Sequence, residues 1–375
     1  MAVTPQPQKA ATTWNPRSAY ESWLASLNLP VYRGHYVENL STVELDWWAE
    51  RECYAAFLYF QGMVDIHEAR VIEIPPGKTL PPTRMAMEEL VYVVGGRGIC
   101  SVWGGEDLPK KSFEWGAHAI FMIPPNYTYQ LSNVQGTQPA RVLATNYLPL
   151  ALQTVPNIDY FFNNPKVDLD ILYGENENPF AEAVAARPTD DTRGNRSLWI
   201  GNFLPDMAVW DKLEPNRTRG AGGSSVYLRS PTGKSGHMSV FAPHRYKMAH
   251  RHGPGRVIVI PAGEGISQLW PPGGEKETVY WQEGTVFTPP DQWYHQHFNI
   301  GATPARYLAL NPPRLLSGHY RLRETGDQQI WYPDEPASVR QMFESELAKR
   351  GLTSGIPEEA YRDRDYKWDY GDDGD

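Results

Sequence analysis

Residues 113–133 of this chain align with residues 279–299 without a gap. Trp115 falls opposite Trp281, Pro124 opposite Pro290 and Asn133 opposite Asn299. Downstream, Pro139 to Asn146 matches Pro304 to Asn311; upstream, Gly96, Gly98 and Trp103 match Gly263, Gly265 and Trp270. Self-similarity at a fixed offset means that one structural unit occurs twice, in tandem. Within the first copy the apolar runs are short: Phe57–Phe60, Ala69–Ile74 and Leu90–Val94. Turn signals separate them at Pro75-Pro76-Gly77, Gly95 to Gly98 and Pro124-Pro125-Asn126. Short, evenly spaced strands of this kind predict an all-β unit, a sandwich or barrel.

Composition agrees. The 375 residues suffice for two or more modest domains, and 33 Pro, 32 Gly, 21 Tyr and 13 Trp favour short strands and tight turns over long helices. The net charge of -9 lies partly in Asp363–Asp375, and no basic stripe is present, which argues against a nucleic-acid partner. Cys53 and Cys100 form neither a CxxC nor a disulfide framework. Met1–Trp14 lacks the apolar core of a signal peptide, and no apolar run approaches a membrane span. A cytoplasmic protein with no membrane partner is the expectation. The glycosylation-like triplets at Asn195 and Asn216 then read as chance matches.

Helical spacing predicts helices at Ser18–Leu27 (stopped by Pro30), Thr42–Cys53, Pro179–Ala186 and Ser338–Arg350 (ended by Gly351). Residues 1–12 are expected to be disordered, and Arg217–Ser225 to form a flexible loop. The chain divides into a helical arm (1–54), a first barrel (55–150), a connector (151–224), a second barrel (225–315) and a C-terminal helix with an acidic tail (316–375).

The chemistry concentrates in the second copy. His250 and His252, one residue apart, point the same way on a strand, and His295 on another strand can complete one face of a metal's coordination sphere. Only three protein ligands leave positions open for substrate, water or O2. His297 shares the face of His295. It reads as a base beside the metal, an alternative ligand, or a histidine merely hydrogen-bonded near the barrel mouth. Trp293 shares that face too and is the best pocket candidate, whereas Trp270 and Phe287 read mainly as packing. His237 and His244 read as structural, and His67 and His118 receive no role.

With these residues in place, the sequence resembles the cupins and, having two copies, a bicupin. His250 and His252 match the family's His-x-His pair and Gly263 its later glycine. Gly284, Pro290, His295 and Asn299 match the second motif in order. The resemblance covers most of 60–148 and 230–312 and implies two tandem jelly-roll (double-stranded β-helix) barrels with short flanking helices. It is closest in layout to gentisate-dioxygenase-like and oxalate-decarboxylase-like proteins.

The sequence departs from the family at informative places. Arg256 stands where the family has a Glu ligand, so the site should hold its metal by three histidines. Arg256 then either points into the cavity to hold a carboxylate or lies exposed in the turn after Gly255. In the first copy Thr83, Met85 and Tyr129 replace the histidines and Glu89 keeps the family's Glu. The expectation there is a scaffold that binds no metal. By resemblance, the function implied is a dioxygenase, with Fe(II) favoured over Mn, Ni or Zn. It would act with O2 on a small aromatic, carboxylated or diketone substrate, with Arg256 fixing an acid group and His297 or Tyr294 moving a proton. A Mn, Ni or Zn isomerase, lyase or decarboxylase and a non-catalytic binding cupin are the alternatives. Pairing into a homodimer is a further expectation of the resemblance.

Overall fold

The repeat holds strand for strand. The computed structural model describes residues 18–63, 65–104, 109–162, 178, 180–186, 198–210, 235–253, 255–311 and 329–368. The expectations for residues 1–12 and Arg217–Ser225 lie outside them.

The chain enters through helix α1 (Ala19–Leu27), which buries Tyr20 and Leu24. Its start is a capping box: Ser18 Oγ accepts from the Glu21 amide at 3.1 Å, and the Glu21 carboxylate accepts from the Ser18 amide at 3.2 Å. Strands β1 (Val31–Gly34), β2 (Tyr36–Val37), β3 (Asp46–Trp48) and β4 (Cys53–Phe60) follow. The helix expected at Thr42–Cys53 is therefore not formed. Asp46, Trp47 and Trp48 pair antiparallel with Ala55, Tyr54 and Cys53, and a 3-10 turn at Ala49–Arg51 reverses the chain. A pattern read as helical spacing gives way to pairing with the adjacent strand, which buries Trp48.

The first unit comprises β5 (Glu68–Ile74), β6 (Thr83–Arg84), β7 (Glu89–Gly95), β8 (Gly98–Trp103), β9 (Lys111–Trp115), β10 (Ile120–Ile123), β11 (Thr128–Asn133) and β12 (Ala140–Asn146). Short helices α2 (Leu148–Thr154) and α3 (Ile158–Phe161) close it. Three short strands then follow, β13 (Val184–Ala186), β14 (Leu198–Ile200) and β15 (Phe203–Leu204). The helix expected at Pro179–Ala186 is replaced at its end by β13, which pairs with β14. The second unit comprises β16 (Ser235–Phe241), β17 (Ala249–His250), β18 (Val257–Ala262), β19 (Gly265–Trp270), β20 (Glu277–Trp281), β21 (Val286–Phe287), β22 (Tyr294–Asn299) and β23 (Ala305–Asn311). Strand β24 (Gln329–Ile330) and helix α4 (Ala337–Ala348) complete the described chain. The C-terminal helix stands within a residue or two of where its spacing placed it.

In the first unit β5-β12-β7-β10 run side by side in one sheet and β6-β11-β8-β9 in the other. In the second unit the orders are β16-β23-β18-β21 and β17-β22-β19-β20. Counted within each unit, both read 1-8-3-6 over 2-7-4-5, the strand order of a jelly roll. The fold is all-β, two tandem jelly rolls with short helices on their flanks.

The matched residues have matched structural work. Gly96 and Gly263 have φ of 95° and 93°, and a Cβ there would sit 2.7 and 2.6 Å from the Cα of Ala140 and Ala305, so both positions require glycine. The Asn133 carboxamide lies within hydrogen-bond distance of the carbonyls of Ile74, Pro75 and Gln138. Asn299 does the same with Phe241, Ala242 and Thr303. Asn299 is thus a pin between loops.

The units pack through their 1-8-3-6 sheets. Leu58, Leu90, Tyr92 and Met122 of the first meet Met238, Val257, Val259 and Leu308 of the second in one buried core. The chain also crosses over: β2 pairs with β21, and β15 with β10. His67, expected to have no role, is fully buried with Nδ1 2.5 Å from the Gly255 carbonyl, and the Gly255 amide donates to Gly62 at 2.7 Å. The loop before β5 therefore holds the loop that follows His252. His118 likewise has partners, with Nδ1 2.9 Å from the Tyr92 hydroxyl. Among the described residues, no helix is long and apolar enough to cross a membrane.

Candidate metal centre

Strand pairing sets His250 directly opposite His295. His252 follows two residues on, and the ring centroids lie 4.3 Å (His250–His295), 4.4 Å (His252–His295) and 5.6 Å (His250–His252) apart. One ring nitrogen of each comes within 4.8 Å of the others. Among the described residues, this is the group of three or more metal-ligating side chains so placed. His252 and His295 are buried and His250 is half-buried.

Their hydrogen bonds test whether an ion fits. His252 Nδ1 is 2.8 Å from the Gly253 carbonyl, and His295 Nδ1 is 3.1 Å from the Trp293 carbonyl. A carbonyl only accepts, so each Nδ1 carries the proton and each Nε2 presents a lone pair. That is the tautomer a metal ligand needs, fixed by a partner on the other nitrogen. The residues fit a divalent cation.

His297 lies beneath this triad, its ring 5.5 Å from that of His295. The Trp281 indole donates to Ser267 Oγ at 3.0 Å, and Ser267 Oγ is 2.7 Å from His297 Nδ1. Ser267 is fully buried, and its hydroxyl anchors the ring of His297 through Nδ1. His297 Nε2 is buried and has no hydrogen-bond partner among the described residues. Burial, with His295 and Lys247 nearby, holds His297 well below the usual histidine range. Its ring is thereby held neutral, and the clustered ligand atoms are those of His250, His252 and His295.

The other expected site residues divide. Arg256 is 5% exposed, which overturns the exposed-turn alternative. It immediately precedes β18 and shares the parity of Ile258 and Ile260, whose side chains fill the barrel interior. Trp293 is half-buried, its ring 5.8 Å from His35 of the N-terminal arm. Tyr294 is a correction. Strand alternation sets it on the face opposite His295, where it stacks on Trp270 with ring centroids 5.6 Å apart beneath the Arg251 guanidinium. It is not placed to move a proton at the triad.

Lys247 was not legible as a site residue. It is 7% exposed, with Nζ 4.6 Å from the Phe241 ring and 5.3 Å from the Tyr307 ring, the two rings that flank His297. It sits in a two-residue bridge, Tyr246 and Lys247, outside the named strands and too short for period-2 spacing to give a signal. Glu335 was missed as well, because only the returning chain brings it to the back of the triad's sheet. Burial, partly offset by hydrogen bonds from Tyr246 and Gln296, pushes its carboxyl up to about 8 from 4.5. The folded state thus binds this proton more tightly than the unfolded chain. The associated stability is present at low pH and is lost as pH rises from 4.5 through about 8. We expect the unfolding free energy from urea titration to fall across that window, by on the order of 1–2 kcal/mol after allowance for partial exposure, and the Glu335→Gln variant to show a flatter profile. Equal slopes in the two proteins would disprove the assignment.

The first unit shows what replaces the triad. At the positions of His252, His295 and Arg256 stand Met85, Tyr129 and Glu89, and the Arg70 guanidinium lies among them. It pairs with Glu68 and Glu89, and its Nη2 is 3.9 Å from Met85 Sδ. Tyr129 donates to Glu89, and Asn146 to both carboxylates at 3.1 and 3.3 Å. Burial works against the Arg70 cation, but Glu89 and Glu68 more than offset it and hold it above its ordinary value.

Two jelly rolls in tandem, with the second copy's motif histidines converging inside the barrel, decide the layout. The chain is a bicupin in layout. No protein-family model matches it, and no curated protein matches it in sequence. Solved structures similar to this chain include the oxalate decarboxylase of Lactobacillus farciminis, 12% identical over 81% of this chain and 91% of that one, with a TM-score of 0.46. The salicylate 1,2-dioxygenase from Pseudaminobacter salicylatoxidans is 12% identical over 66% and 70%, TM-score 0.45. A vicilin from Capsicum annuum is 13% identical over 75% and 86%, TM-score 0.43. At these distances the likeness says nothing about the chemistry.

Proposed function

We propose that the second barrel is the active site of a metal-dependent enzyme, an Fe(II) dioxygenase acting on a small carboxylated aromatic or diketone. The observation that carries this is the triad, with the Nδ1 protons of His252 and His295 committed to backbone carbonyls. Three neutral imidazoles leave a divalent ion its full charge and open positions, so it acts as a Lewis acid toward a chelating anion and, as Fe(II), toward O2 beside it. The chain's own residues do the rest. Arg256, inside the barrel at the ligand position of the family, presents a planar fork to a carboxylate. His297, kept neutral by burial and anchored through Nδ1 by Ser267, stands beside the triad to move a proton. Phe241, Phe287 and Tyr307 around it exclude water.

The test is metal content on protein purified without added metal, followed by O2 uptake after anaerobic Fe(II) loading with a panel of phenolic acids and diketones. About one iron per chain, the stoichiometry of one three-imidazole site, with substrate-dependent O2 consumption is the expected result. Bound Mn, Ni or Zn without O2 uptake would replace this reading with an isomerase, lyase or decarboxylase, for which His297 is the candidate proton donor. Metal retained without turnover on any substrate would point to a binding protein.

A further inference from the structure

The sheet that carries the triad is held from behind by chain that follows the barrel. Strand β17, which carries His250, is two residues long and pairs with β22 at a single position. Its other edge is covered by β24, with Ala249 opposite Ile330 and His250 opposite Gln329. The outer faces of these strands are sealed by an apolar layer. Tyr246, Ile266 and Phe298 of the barrel meet Tyr332, Val339, Phe343, Leu347 and Ile356. The first unit has a matching contact, since Met85 bridges to Phe162 from the segment after that barrel. In the second unit the covering segment also brings a carboxylate.

That carboxylate belongs to Glu335. Its Oε1 accepts from Gln296 Nε2 at 2.6 Å, and Gln296 lies between His295 and His297. Its Oε2 accepts from the Tyr246 hydroxyl at 3.0 Å, and the carboxylate also takes the backbone amide of Ala249, the neighbour of His250. One side chain therefore ties the strand of His250 to the strand of His295, across the point where backbone pairing is sparsest. Gln296 has no other polar partner for its Nε2 among the described residues, and Tyr332 adds a hydrogen bond to the Tyr246 carbonyl.

We propose that Glu335 is a positioning residue for the triad: it fixes the spacing of the His250 and His295 strands from the outer face and so sets the affinity of the site for its ion. The inference rests on the metal reading above. Glu335 touches neither the ion's position nor a ligand side chain, so its effect runs through backbone placement.

The experiment compares Glu335→Ala and Glu335→Gln with Phe343→Leu, which thins the same apolar layer without touching the tie. Co(II) serves as the probe, read by chelator competition and by its d–d absorption. Hydrogen exchange at residues 246–250 and 294–297 is measured on the protein without metal. The expected result is Co(II) affinity about tenfold weaker in Glu335→Ala, the lower end of what loss of a partner behind a ligand costs. An altered d–d band, faster exchange in both segments and partial recovery in Glu335→Gln should accompany it. Phe343→Leu should lower the thermal midpoint yet leave affinity within about twofold of wild type. Equal loss of affinity in Glu335→Ala and Phe343→Leu would overturn the proposal, as would unchanged exchange in Glu335→Ala. Should Glu335→Ala fail to fold, Glu335→Gln carries the same comparison. A wild-type protein that binds no Co(II) would refute the metal reading, and the exchange data would still decide whether Glu335 ties the strands.

Discussion

Replacing His252 by Ala is expected to strip the protein of most of its metal, whereas replacing Met85 by Ala is expected to leave metal content unchanged. The two residues occupy the same place in the two barrels. His252 is 4% exposed, with Nδ1 committed to the Gly253 carbonyl and Nε2 turned to the triad. Its removal leaves two imidazoles, and the loss of affinity should exceed the 10–100-fold typical of disturbing a partner behind a ligand. Met85 instead packs on the Arg70 guanidinium. Its truncation opens a cavity and should cost about 2–5 kcal/mol of stability. Metal analysis on the two purified variants, beside their denaturation midpoints, is the measurement. Equal metal loss in both would sink the assignment of the ion to the second barrel alone.

The second large effect belongs to Arg70. Glu68 and Glu89 are fully buried, and the Arg70 guanidinium is the cation between them. An Arg70→Met variant should lose about 3–5 kcal/mol, the cost of leaving buried charge without its partner. Burial already raises Glu68 in the native protein, and without Arg70 a carboxyl must take up a proton to stay inside. Replacing Glu68, Arg70 and Glu89 together by apolar residues should recover most of the loss, since a well-packed apolar core matches a buried ion cluster. Denaturant unfolding of the single and triple variants checks both statements. A loss under about 1 kcal/mol for Arg70→Met would show that the network is not a stabilising centre of the first barrel.

The legibility of this chain followed the range of the forces involved. Residues 113–133 and 279–299 announced the tandem units because the residues they share answer local demands: glycine at positive φ, tryptophan over glycine, asparagine across a loop. The convergence of His250, His252 and His295 was legible because strand alternation sets residues two apart on one face, where a paired strand can bring a third. Glu335 and Lys247 were not, since each reaches its place through long-range packing that no periodicity records. Thr42–Cys53 misled for the same reason, its fate being settled by β4. Tyr294 was misassigned by adjacency to His295, although alternation along a strand separates neighbours onto opposite faces. Arg256 gained its burial from a loop clamped by Gly62 and His67 of the other unit.

That the tie behind the triad comes from chain beyond all three histidines has a consequence in time. As the polypeptide leaves the ribosome, His250, His252 and His295 are made before β24 and Glu335. The barrel can close its ladder of hydrogen bonds at that stage, but its edge beside His250 stays open. The centre reaches its final stiffness only when the returning segment docks. On the role proposed for Glu335, capture of the ion and completion of the chain would be ordered events: a nascent barrel would hold a cation loosely enough to exchange it, and the finished protein would keep it.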